Sequence, residues 1–239
     1  MDTPSQPSRV LPVVAGIVVV LGMAGIAGTL FFKHEPSGVE PEAVSQPDAP
    51  PNRLWQPDGR TRGDLNAPVT LIEYSDFTCD YCVKFFRDTW PRLSAKYVET
   101  GKVRLLYRDY PRDPEGPAMT AAIAARCAGD QGRYWQMHDR LFAGTIQIEA
   151  IEAHAKAIGM DQPAFLQCLR DAPHRQAIFR DKQDGMRLGF VGTPGFLLMR
   201  TRQAEDEKPI GLPGAFPADV FEKEIERLLK LPSETKNKG

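Results

Sequence analysis

The stretch Glu73–Phe86 reads EYSDFTCDYCVKFF. Two cysteines, Cys79 and Cys82, stand three apart where one periodicity gives way to another. Upstream, Val69 to Ser75 (VTLIEYS) is apolar or β-branched at most positions, which suits a central strand buried on both faces. Downstream, Cys82, Val83, Phe86 and Trp90 recur at helical spacing. The cysteine pair therefore lies at a strand-to-helix junction, with one carboxylate, Glu73, inside the strand.

Four explanations compete for such a pair: a metal clasp, a structural disulfide, inert core thiols, or a reactive dithiol. Closed zinc sites take four ligands, commonly as two close pairs. The second pair is missing here: Cys127 and Cys168 are distant in sequence, and histidines 34, 138, 154 and 174 show no close ligand spacing. No metal site is expected on that arithmetic. Core burial accounts for Cys82, which shares a stripe with Phe86, but not for Cys79. A sulfur that begins a helix sits among unpaired backbone N–H groups at the positive end of the dipole, and its thiolate is stabilised. Cys79 is therefore the expected nucleophile, and Cys82, one turn later on the same face, its shielded partner.

Working outward, Lys102 to Tyr110 is a second strand after Gly101, Phe196 to Arg200 a third, and Pro209 to Phe216 a fourth. Pro213 places the last at a sheet edge, because proline cannot donate to a ladder. Pro91 is expected to break or kink the helix after the cysteines. Between the second and third strands lie several short helical patterns (117–128, 133–142, 149–158, 162–170, 173–188). An amphipathic helix from Ala218 to Leu231 closes the chain. The expected fold class is α/β: a small sheet interrupted by an all-helical insertion, with a right-handed parallel crossover at the start and the reactive residues where its first strand ends. Trp135 and His138 read as helix packing, since no partner spacing accompanies them.

The segments VTLIEYSDFTCDYC, YRDYP, CAGDQGRYWQMHDRLF and GFVGTPGFLL together resemble the DsbA family of thioredoxin-like thiol:disulfide oxidoreductases, over roughly Asn66 to Leu231. The resemblance implies a thioredoxin-like sheet with an inserted all-helical domain at about 117–190, and a redox-active Cys79–Cys82 disulfide in place of any cofactor. It implies a cis Thr193–Pro194 bond beside that pair, where the Thr193 backbone offers an extended substrate peptide an edge. Taken alone, Gly-Thr-Pro reads as an ordinary turn. Glu73 matches the family's acidic position beneath the site. If buried, its proton affinity rises toward neutrality, and it can exchange a proton with Cys82 through a water. A strand-end glutamate reaching solvent is the alternative. Asp80-Tyr81 departs from the Pro-His dipeptide of the family's strongest oxidant: a carboxylate beside Cys79 opposes its thiolate, so a milder oxidant is expected. Cys127 and Cys168 are open between two buried small hydrophobes and a second disulfide.

By the same resemblance, the partners are extracytoplasmic thiol-containing client proteins and a membrane redox partner that reoxidises the pair. The same site run backwards would be a reductase or isomerase, and without redox chemistry a peptide-binding chaperone module. The composition is ordinary for a globular chain: 239 residues, 42% hydrophobic, 26% charged, with a formal charge of −1. That charge offers no field to attract nucleic acid. Ahead of the domain at 66–231 are a short tail (1–9), a charge-free run (10–32) and a proline-rich linker (33–65), and a solvated tail (232–239) follows it. The run at 10–32 spans about 34 Å as a helix, enough for one membrane crossing, and it continues past Ala24 and Ala27, where a signal peptidase would cut. The expected location is the inner membrane, single-pass, with the domain in the periplasm or extracytoplasmic space, since cytosolic thiol buffers would keep the pair reduced.

Overall fold

Val69–Ser75 is buried along its whole length, and the rest of the fold is arranged around it. The computed structural model describes residues 55–202 and 208–231; the charge-free run at 10–32, most of the linker and the tail at 232–239 lie outside the described residues. Five strands, β1 (Thr61–Arg62), β2 (Val69–Ser75), β3 (Val103–Asp109), β4 (Gly195–Arg200) and β5 (Ile210–Pro213), form one sheet in the order β1-β3-β2-β4-β5. β2 and β3 run parallel, with Ile72 opposite Leu106, and β4 lies antiparallel on the other side, with Leu197 opposite Ile72. β5, with Pro213, is at the edge, as a strand lacking a donor requires.

Side-chain alternation divides the sheet's apolar residues between two layers. Val69, Leu71, Val103, Leu105, Phe196 and Leu198 pack with the helix at 80–98 and with the amphipathic helix Ala218–Lys230. The Phe85 ring lies tilted with its centroid 4.5 Å from that of Phe196, which in turn lies 4.9 Å from Phe221; burying each ring is worth about 1.5–3 kcal/mol. On the opposite face Ile72, Tyr74, Leu106, Leu197 and Met199 pack with Tyr110 and Phe190.

Of the break or kink expected at Pro91, the break does not occur. The helix runs from 80 to 98 by alternating α turns (Asp80–Lys84, Trp90–Leu93) with π turns (Phe85–Thr89, Ser94–Val98). Proline lacks an N–H and crowds the preceding turn. The wide turn ahead of it, closed by the Trp90 N–H on the Phe85 carbonyl, absorbs that mismatch.

Five helices make up the insertion among the described residues: Pro117–Gly129, Tyr134–Ala143, Ile148–Ala157, Gln162–Asp171 and Arg175–Arg187. The first carries buried alanines 121, 122, 124, 125 and 128, whose small side chains let its neighbours approach closely. Cys127 and Cys168 are bonded, with Cα atoms 5.9 Å apart, which decides the alternative left open by the sequence. This disulfide joins residues 41 apart in sequence, so opening it in a Cys127→Ala/Cys168→Ala variant is expected to cost about 4 kcal/mol through the freed loop of the unfolded chain. Urea unfolding measures this; a loss under about 1 kcal/mol would show that helix packing alone holds the insertion.

The fold also begins earlier than Asn66. Residues 55–65, assigned by composition to the linker, lie against β3: Thr61 and Arg62 pair with Leu106 and Leu105, and the Trp55 and Gln56 carbonyls accept hydrogen bonds from Arg104 and Arg108. This arm docks through strand pairing and polar contacts, with Trp55 packed on the layer of Tyr110 and Phe190, and its low overall hydrophobicity hid it. Arg60 reaches a buried cluster in which it pairs with Asp181 and, at 3.4 Å, with Asp109. Arg126 bridges the same two carboxylates at 2.7 Å each.

Candidate active site

The end of β2 is held by Asp76, buried just past the strand. Its Oδ1 accepts the Thr78 N–H and the Thr78 hydroxyl at 2.7 Å, and its Oδ2 accepts the Arg112 N–H at 2.8 Å. That Asx-type turn delivers Cys79 to the N-cap of the following helix, in an extended conformation, with its carbonyl accepting the Cys82 and Val83 N–H groups. The sequence reading missed Asp76; its signal was an Asx residue two before a threonine at a strand end.

The two sulfurs are unlike, and both are unbonded thiols here. Cys79 lies just beneath the surface, beside exposed Asp80 and Tyr81. Its thiol pKa is lowered to about 5: the hydrogen bond from the Cys82 thiol is the largest contribution, burial opposes it, and the Thr193 side chain and the Cys82 and Tyr81 backbone N–H groups add to it. Cys82 is fully buried. Desolvation pushes its thiol pKa far up, and the hydrogen bond to Cys79 holds its proton further. Helix N-terminus and sheltered partner thus sit as the spacing indicated.

Thr193–Pro194 is cis, and the Thr193 carbonyl accepts the Cys79 thiol at 3.3 Å. The ordinary-turn alternative is thereby excluded, and the segment leading into β4 lies directly against the reactive sulfur. The Thr193 hydroxyl is buried without a conventional partner and lowers the Cys79 pKa.

Glu73 is 4% exposed, between Tyr107 on β3 and Phe196 on β4; the solvent-reaching alternative is excluded. Burial raises its pKa to about 7, against lowering by the Ser75 side chain and the Arg62 charge. Ser75, two residues along the same strand face, lowers the pKa of both Glu73 and Cys82. Its hydroxyl has no partner of ordinary hydrogen-bond geometry, so it lies near both groups and is committed to neither. Because the folded pKa of Glu73 is raised above the ordinary glutamate value of 4.5, its contribution to stability is fully present below about pH 4.5 and is lost as pH rises to about 7. Wild-type stability should therefore fall by about 3 kcal/mol across that window relative to Glu73→Gln, whose own pH dependence carries the opposing gain from the acidic Cys79. Denaturant midpoints at pH 4.5 and 8 check it; equal pH dependence in both proteins contradicts it.

Trp135 and His138 serve packing, as read from the sequence. His138 is buried among Phe77, Tyr107, Trp135 and Phe142, with Nδ1 2.9 Å from Asp139. Arg62 lies 4.3 Å from the Trp135 ring centroid.

Residues 56–211 match the family model described as Thioredoxin. Among solved structures, Wolbachia pipientis alpha-DsbA1 superposes with a TM-score of 0.64 at 26% identity, covering 71% of this chain and 89% of that one. A Salinispora arenicola Na(+)/H(+) antiporter, NhaA 1, is 36% identical over 141 residues, 57% of this chain but 21% of the antiporter. A Rickettsia conorii chain bearing the name protein-disulfide oxidoreductase is 24% identical over 144 residues, 57% of this chain and 51% of that one. The chain thus spans about a fifth of the first relative and half of the second. With the family match covering most of the described residues and a helical insertion between β3 and β4, the chain belongs to the thioredoxin family, in its DsbA-like branch.

Proposed function

We propose that the protein is a thiol:disulfide oxidoreductase that oxidises client thiols through the Cys79–Cys82 pair. The inequality of the two sulfurs carries this reading: one is held as a thiolate near neutral pH, the other is buried and keeps its proton. In the oxidised protein a client thiolate attacks the Cys79 sulfur, a mixed disulfide forms, and the Cys82 sulfur leaves with the electron pair. Cys82 then takes up a proton, for which Glu73 is the donor, with a pKa suited to giving and regaining it near neutrality. The client's second thiolate displaces Cys79, which leaves as the stabilised thiolate. Because the reduced form is stabilised, the disulfide is a ready electron acceptor. The Thr193 backbone beside Cys79 is the edge on which an extended client segment pairs.

The direction of exchange is tested by the reduction potential. Equilibration with glutathione should give a value below the roughly −120 mV of the strongest family oxidant, because Asp80 adjoins the thiolate, and above the roughly −270 mV of thioredoxin. A value at or above the first limit refutes the effect assigned to Asp80, and one at or below the second favours a reductase.

The charge-free run at 10–32 serves, in this reading, as an uncleaved anchor that holds the domain at the extracytoplasmic face of the inner membrane, where a quinone-linked membrane partner reoxidises it. The redox state of the pair in cells separates this from the reductase reading: a donor is found oxidised, a reductase reduced. Sodium–proton antiport, named for the longer relative, forms no part of the proposal.

A further inference from the structure

The insertion brings a second set of sulfur and nitrogen donors together at the ends of three helices. Cys127 is in the last turn of Pro117–Gly129 and Asp130 follows as its C-cap. Cys168 is in the last turn of Gln162–Asp171, and His174 is the N-cap of Arg175–Arg187. The left-handed Ala172, φ 47°, turns the chain between the latter two helices and returns His174 toward Cys168. The donor atoms of Cys127, Cys168 and His174 all lie within 4.8 Å of one another. Asp130 Oδ2 is 2.7 Å from His174 Nε2 and 3.7 Å from Cys168 Sγ. Sequence spacing concealed this set, because three of its members come from separate helices.

While Cys127 and Cys168 are bonded to each other, their sulfurs are poor ligands. A dithiol reductant changes that: two electrons pass to the Cys127–Cys168 bond, the reductant closes its own disulfide, and two thiols are released. We propose that the reduced insertion then binds one zinc ion through Cys127 Sγ, Cys168 Sγ, His174 Nε2 and Asp130 Oδ2, with the two thiol protons leaving as the metal binds. A tetrahedral zinc site with sulfur, nitrogen and oxygen ligands separates neighbouring donors by about 3.4–3.8 Å. The Cys168–Asp130 distance already has that value, and the His174–Asp130 contact has to open by less than about 1 Å. Two thiolates with an imidazole select zinc over calcium or magnesium. Cys127 is buried and Cys168 and His174 are half-buried, so the protein covers one side of the ion. Disulfide and metal are mutually exclusive occupants of the same two sulfurs, and zinc therefore holds the reduced insertion together when its covalent clasp is open.

The test uses the full chain with Cys79→Ser and Cys82→Ser, so that the reactive pair cannot itself bind metal. Chelator competition with zinc, and cobalt(II) absorption as a reporter of thiolate ligation, are compared for oxidised and reduced protein. The proposal expects one metal ion per reduced chain, thiolate-to-cobalt charge-transfer bands, none of either in the oxidised chain, and a higher unfolding midpoint for the reduced chain in zinc. His174→Ala and Asp130→Asn, each checked for native circular dichroism, should weaken zinc binding by about tenfold or more, since a closed site loses one of four ligands. A reduced chain that binds no zinc, an oxidised chain that binds it equally well, or a His174→Ala chain that binds as tightly as its parent each overturns it.

Discussion

Cys79→Ser lowers disulfide exchange by about a thousandfold or more, while Cys82→Ser yields a protein that reacts once and stalls. The difference follows from the placement of the two sulfurs. In the proposed reaction client thiols meet Cys79, which lies beside the exposed dipeptide Asp80-Tyr81, whereas Cys82 is sealed beneath it. Without Cys79 there is no attackable sulfur. Without Cys82, the Cys79 thiolate can attack an activated client disulfide, but nothing within the protein resolves the product. The mixed species should accumulate on non-reducing gels and disappear with added dithiol. Cys82→Ala should also raise the Cys79 pKa, because the Cys82 thiol is the largest of the interactions that lower it. Normal multiple turnover by Cys82→Ser, or retained exchange in Cys79→Ser, would contradict the assignment.

Asp109→Ala costs about 3–5 kcal/mol of stability. Asp109 is 1% exposed, and its Oδ2 lies 2.7 Å from Arg126 and 3.4 Å from Arg60. Removing it leaves two largely buried guanidinium groups sharing Asp181, with a further partner for Arg60 in Asp58 at 2.7 Å. Losing one member of a buried ionic group is far costlier than losing a surface pair, which is worth under about 1 kcal/mol. The cluster joins the arm before β1, the end of β3 and two helices of the insertion, so hydrogen exchange should show the arm opening first. Combining Asp109→Leu with Arg126→Met should cost less than the sum of the single changes, since each single change strands the other's charge. Guanidinium denaturation measures all three. A loss under about 1 kcal/mol for Asp109→Ala would show that the cluster is a solvated bystander.

The site was legible where the chemistry is local. A β-branched run ending in a dithiol, followed at once by a helical stripe, states where the sulfurs go and which of them is acidic, because the Cys82 thiol and the first backbone N–H groups of the helix all lie within three residues of Cys79. The buried carboxylate was legible for the same reason, as Glu73 interrupts a strand that has no exposed face. What could not be read depends on partners distant in sequence. The arm at 55–65 looks like linker because it is polar and proline-bearing, and it is Asp109 and Asp181, folded from elsewhere, that tie Arg60 to the domain. Pro91 looks like a helix break or kink because single-residue rules do not include the π turn that Phe85–Thr89 adopts ahead of it. His174 lies beside Cys168 through the reversal at Ala172, a left-handed conformation that an alanine does not advertise.

The proposed exchange rests on one acidic sulfur, and the most direct measurement of it is the pH dependence of Cys79 alkylation in the reduced protein, with mass spectrometry assigning the label. The expected result is a midpoint near pH 5 at Cys79 and no labelling of Cys82 on that timescale. A midpoint near the free-thiol value of about 8.5, or equal labelling of both sulfurs, would contradict it.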